Sequence, residues 1–165
     1  MKFYPAWSSH FPVLIKVMEK ANSDVLELGM GPFSTPILHW LCFDKGLKLF
    51  SFDNDKEYFD LNSHFKSDNH IVRLIENDNW DSIVYGTHHL SVAFVDHKPA
   101  KRRHVDIAKL ANLADFVIIH DSEPEGDKWY RYSKIYKLFK YRYDYTKTVP
   151  HTTVLSNFID LSFLE

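Results

Sequence analysis

The chain has 165 residues, 45% of them apolar and 16% aromatic, which excludes a disordered polymer and allows one domain with a real core. Its 20 basic and 22 acidic residues leave a net charge of −2, so no global charge attracts nucleic acid or an anionic membrane surface. One cysteine, Cys42, permits no internal disulfide, and no apolar run has the length of a signal sequence core or a membrane span; a reducing, cytoplasmic setting is expected, with Cys42 as a small core residue.

Along the chain, residues 1–22 form an N-terminal segment containing a first helix, and Val25–Leu28 (VLEL) is a short apolar run that stops at Gly29. Residues 36–43 (PILHWLCF) read as a helix with Ser34 as its N-cap and Thr35 and Pro36 in the first turn. Residues 47–52 (LKLFSF) alternate like a strand and end at Asp53, residues 56–65 are helical in pattern, and residues 71–75 (IVRLI) are a third strand ahead of the polar ENDNWD stretch. A fourth strand (91–95), a helix (99–113), a fifth strand (116–119), a helical pattern (129–139) and two strands (141–146 and 152–158) complete the order. Alternating strands and helices predict an α/β fold: a doubly wound, mostly parallel sheet with helices on both faces. The last two strands are joined by a link too short for a crossover helix, so they predict an antiparallel C-terminal hairpin at one edge.

Ligands of such sheets bind beyond the carboxyl ends of the strands. Along that rim the predicted order gathers the glycine turn after Leu28 together with Asp53, Asp96, His97, His120 and Asp121. In the turn, Glu27-Leu28-Gly29-Met30-Gly31-Pro32-Phe33-Ser34, glycines let the backbone approach a ligand. Pro32 removes an amide that a pyrophosphate would use, and Glu27 repels phosphate but suits an amine. Asp53 can accept hydrogen bonds from ribose hydroxyls. An amine and a ribose without phosphate describe S-adenosylmethionine.

ELGMGPFST resembles the first motif of the class I S-adenosylmethionine-dependent methyltransferases and FSFDND resembles their second; the resemblance runs from about Val25 to the final hairpin. It implies that Glu27, Gly29, Gly31 and Ser34 surround the methionine end, that Asp53 holds the ribose, and that Asn54, Asp78 and Trp80 flank the adenine. The N-terminal segment would act as a lid, with His10 beside cofactor or substrate. The residue-level alternative is a phosphate- or dinucleotide-binding domain, or a glycine turn that only packs.

AFVDHKP and VIIHDSE end two neighbouring strands in an acid beside an imidazole. Two converging carboxylates repel unless a proton or cation lies between them, and Mg²⁺ is the ordinary oxygen-bound choice. The pattern is similar to the metal-dependent O-methyltransferases, including the catechol enzymes, and by position Asp96, His120 and Asp121 would be ligands. It departs from them at Ser122, where the catechol enzymes have an amide ligand, and at Pro99, where they have a lysine base. Asp96, His97, His120 and Lys98 are the candidates for catalysis. The alternative is that the acids cap turns and the imidazoles fill a polar rim.

Residues 101–104 (KRRH) read as a solvated basic run beyond Asp96, or as a receiver for an anionic group. Residues 129–147 interleave aromatic and basic residues, which can grip nucleic acid. With no overall basic charge, a helix followed by an edge strand is preferred, with Tyr141, Tyr143 and Tyr145 sharing one face and Arg142 and Asp144 the other. The expected activity is methyl transfer to an oxygen of a small-molecule acceptor, without membrane or nucleic acid partners, in a pocket complete in itself or completed by another subunit. The other readings are a non-enzymatic cofactor-binding module and a nicotinamide-dependent oxidoreductase.

Overall fold

The structure, a computed structural model, describes residues 4–84 and 89–165; the first three residues of the expected N-terminal segment lie outside the described residues. Helix α1 (Phe11–Lys20) leads into strand β1 (Val25–Leu28), followed by α2 (Ser34–Lys45), β2 (Leu49–Asp53), α3 (Lys56–Asn62) and β3 (His70–Leu74). Next come β4 (Leu90–Val95), α4 (Arg103–Leu110), β5 (Ala114–His120), the short α5 (Asp127–Tyr130), β6 (Tyr141–Tyr145) and β7 (Thr152–Ser156). One seven-stranded sheet has the order β3-β2-β1-β4-β5-β7-β6, parallel from β3 to β5, with β7 antiparallel to β5 and β6 antiparallel to β7. The expected hairpin is present, with its second strand inserted beside β5. Among the described residues no helix is long and apolar enough to cross a membrane.

Period-2 alternation feeds both faces. In β4, Val92 and Phe94 join a core with α1 and α2, while Ala93 and Val95 face the opposite core with Ile107 and Leu110 of α4. Phe116 and Ile118 of β5 divide from Val117 and Ile119 in the same way. Cys42 is buried in the first of these cores. Tyr141, Tyr143 and Tyr145 pack half-buried against it, with Arg142 and Asp144 exposed.

Three expectations are corrected. Helix α2 starts at Ser34 itself; Phe33 is the N-cap residue and offers no side-chain cap. The helix expected over 99–113 is an α-helix only from Arg103 to Leu110, after a 3-10 turn at Ala100–Arg102. The helix expected over 129–139 is absent: α5 ends at Tyr130, Arg131 turns left-handed (φ 59°), and two 3-10 turns follow. Tyr130 and Tyr132 explain the break, because both send their hydroxyls to the carboxyl end of β5 and stack with ring centroids 5.2 Å apart. Residues two apart on an α-helix point to opposite sides, so a helix cannot deliver both.

Candidate active site

The glycine turn is held from three sides. Gly29 has φ +96°, and a Cβ there would lie 2.5 Å from the backbone of Asp96 and His97. Its absent side chain therefore serves the close approach of the β1 and β4 ends, while Gly31 is the glycine that lines the cleft. Asp53 accepts from the Met30 amide at 2.6 Å and the Asp55 amide at 2.7 Å. Thr35, which the sequence reading left without a role, accepts from the Gly31 amide (3.0 Å) and donates to Glu27 Oε1 (3.0 Å). Glu27 lies beneath the turn with no exposure, and its Oε2 has no hydrogen-bond partner among the described groups. Burial pushes its carboxyl up to about 7, against the neighbouring hydroxyls of Ser51, Ser34 and Thr35. Burial also lifts Asp53 to about 6, against its two amide bonds.

Beyond this turn opens a cleft of about 360 Å³. Gly31, Ser34 and Asp53 form one side, Asp96, His120 and Asp121 the other, and Trp7 and His10 of the N-terminal segment also line it. The sheet thus brings together the two halves that the strand ends predicted.

Of the adenine candidates, none lines the cleft. Asn54 donates to Asp78. Trp80 is 1% exposed and stacks on the His97 ring, so it is a core residue. His97 is likewise turned inward: its ring is buried, with Nε2 3.1 Å from Asp106, so it is not placed as a base. Lys98 lies 3.5 Å from Asp55 and over the Tyr58 ring, on the side of the cleft that follows β2.

His120 is placed as a base. Its Nδ1 lies 3.2 Å from Asp96 Oδ2 and its Nε2 2.8 Å from Ser9 Oγ. Burial alone would lower this imidazole, but the charge and hydrogen bond of Asp96 raise it above its ordinary value. His10 meets it edge-on at 5.1 Å and is driven down to about 3, first by burial and then by the His120 charge. Ser9 is anchored in turn, since Thr148 Oγ1 donates to its carbonyl at 3.0 Å.

The KRRH run is not a free basic face. Arg102 pairs with Asp81 and Asp106, and Arg103 turns inward, where Nη2 meets Asp96 Oδ1 at 2.8 Å and Nη1 meets Asp121 Oδ2 at 3.1 Å. The sequence held a signal for this: Arg103, Asp106, Ile107 and Leu110 share the buried phase of α4, at helical spacing. One ligand atom from each of Asp96, His120 and Asp121 lies within 4.8 Å of the others, a spacing suited to a metal. With Arg103 across both carboxylates and His120 Nδ1 on Asp96, however, the donors are already paired and a positive charge already stands beside them. The set as it stands does not fit a divalent ion.

No family model and no curated protein matches the sequence. Solved structures do. A Klebsiella pneumoniae protein provisionally named an O-methyltransferase superposes with a TM-score of 0.65 at 13% identity, over 94% of this chain and 82% of its own. The cofactor-bound protein Rv0187 from MTB gives 0.61 at 15% identity, over 95% and 83%. An rRNA methylase from Streptococcus thermophilus gives 0.59 at 17% identity, over 96% and 99%. The fold is that of the class I S-adenosylmethionine-dependent methyltransferases.

Proposed function

We propose that this protein binds S-adenosylmethionine and transfers its methyl group to a hydroxyl oxygen of a small acceptor. The observation that carries the reading is the His120–Asp96 pair, 3.2 Å apart, across one cleft from a glycine turn braced by Asp53. The residues fit the cofactor. A Cβ at Gly31 would meet only Ser34 Oγ closely and would intrude on the cleft, and the buried Glu27 favours a cationic amine above it once ionised. Gly31 and Ser34 would hold the methionine end and Asp53 the ribose. When bound, the cofactor supplies an electrophilic methyl group on a sulfonium.

The chain's own part is binding, orientation and one proton. Asp96 fixes the tautomer and direction of His120 by accepting from Nδ1, which leaves Nε2 as the atom that takes the acceptor's proton. Ser9 Oγ now stands at Nε2, in the relation an acceptor hydroxyl would take. Trp7 and His10 line the cleft, where their rings would help to keep water from the transferred methyl group. Placing the nucleophile against the methyl group accounts for most of the rate.

Calorimetric titration with S-adenosylmethionine, S-adenosylhomocysteine and NAD tests the binding half, with the first two expected to bind. Binding of NAD alone would replace the reading with a nicotinamide enzyme. A mass-spectrometric screen of pooled hydroxyl compounds for gain of one methyl group tests the transfer half. His120→Ala should abolish any gain and keep S-adenosylhomocysteine binding.

A further inference from the structure

We infer that the Arg103 guanidinium is a resident cation, standing where a divalent ion would stand between Asp96 and Asp121, and that it masks a metal site made of Asp96, His120 and Asp121. Two strand ends deliver two carboxylates to one point, and ionised carboxylates at that range require a positive charge between them. The chain supplies that charge itself. Arg103 has five N–H donors; four hydrogen bonds hold it, and its guanidinium is ion-paired with both carboxylates. Nε donates to the His97 carbonyl at 2.7 Å. Nη2 donates to the Asp96 carbonyl at 2.9 Å and is ion-paired with Asp96 Oδ1 at 2.8 Å. Nη1 donates to Asp121 Oδ2 at 3.1 Å and meets the Tyr132 hydroxyl at 3.4 Å. The Tyr130 ring lies 4.7 Å from the guanidinium carbon, and the side chain is only 6% exposed.

Such a group is fixed in place. Bonded to the chain's own oxygens and ion-paired with both carboxylates, it does not bind an anionic acceptor; it acts as a positioning residue. It keeps Asp96 ionised toward His120 and ties the ends of β4 and β5 to the start of α4. A divalent ion meets a full positive charge sharing the same two carboxylates, so the native site rejects it. Once the guanidinium is removed, three ligand atoms within 4.8 Å of one another are left facing the cleft with net negative charge. That is a donor set for Mn²⁺ or Zn²⁺.

The test reads thermal unfolding of the full chain with Mn²⁺, Zn²⁺ or Mg²⁺ and after chelator, and does not depend on methyl transfer. Wild type is expected to show no metal-dependent shift. Arg103→Ser is expected to lose stability and then gain about 5 °C or more with Mn²⁺ or Zn²⁺ at a hundredfold excess over its dissociation constant. Arg103→Lys keeps the charge and should not respond, and adding Asp121→Asn to Arg103→Ser should remove the response. A merely structural arginine would destabilise on removal without creating metal affinity. Should Arg103→Ser not fold, Arg103→Gln, which retains a donor for the two carbonyls, takes its place with the same outcomes. A wild-type response that Asp121→Asn abolishes would overturn the inference, as would a folded arginine-free variant indifferent to metal.

Discussion

Glu27 should cost this protein stability at alkaline pH, and the cost can be isolated. The carboxyl is fully buried and raised from its ordinary 4.5 to about 7. A folded value above the unfolded one means that the folded state holds the proton more tightly. The associated stability is therefore complete below pH 4.5 and is lost as pH rises through about 7. A shift of that size corresponds to about 3 kcal/mol. Glu27→Gln keeps an acceptor for Thr35 and removes the charge, so it should unfold about 3 kcal/mol harder than wild type at pH 8.5 and nearly equally at pH 4.5, after allowance for any pH-independent offset. Urea denaturation of both proteins across that range gives the difference curve, in which other titrating groups cancel. Two parallel curves would refute the reasoning and place Glu27 in contact with water or a compensating cation. On the proposed function, the same variant should bind S-adenosylhomocysteine more weakly at pH 8.5, because the lost charge lies beneath the cofactor's amine.

Gly29→Ala should destabilise by more than about 2 kcal/mol, because it meets both a positive φ and a backbone 2.5 Å away, whereas Gly31→Ala should leave the unfolding midpoint nearly unchanged and lower S-adenosylhomocysteine affinity. Equal losses of stability in the two variants would contradict the division of labour between the glycines. The His120 imidazole should titrate above 6.5 by NMR and drop in Asp96→Asn, with its share of stability present below 6.5 and lost as pH rises through the folded value. An unmoved titration would separate the two residues. Trp80→Ala should cost about 3–5 kcal/mol as a core truncation, while Trp80→Phe should retain cofactor affinity; a large affinity loss in the phenylalanine variant would return Trp80 to the adenine site.

The sequence by itself determined the sheet and the rim. VAFV and FVII, and VLEL apart from Glu27, are apolar on both alternations because both faces of β1, β4 and β5 are covered, and the glycine turn, Asp53, Asp96 and His120 lie at strand ends where such a sheet places its ligands. Local periodicity and strand order suffice for that much. Direction and partner were decided only by tertiary packing. His97 and His120 each sit beside a strand-end aspartate, yet one ring stacks on Trp80 and meets Asp106 while the other bonds Asp96 and Ser9. Trp80 looked like a loop aromatic beside a ligand until β4 and α4 closed over it. Three successive cations, Lys101 to Arg103, are alike in sequence; the phase of α4 pointed Arg103 inward, but its acceptors come from the ends of β4 and β5 and from Tyr132, elements distant along the chain. The missing helix after α5 has the same cause, since two tyrosine hydroxyls bonded at the end of β5 outweigh a local helical pattern. A pairwise contact between remote segments leaves no periodic trace, which is why the guanidinium bridging Asp96 and Asp121 became visible only in the folded chain.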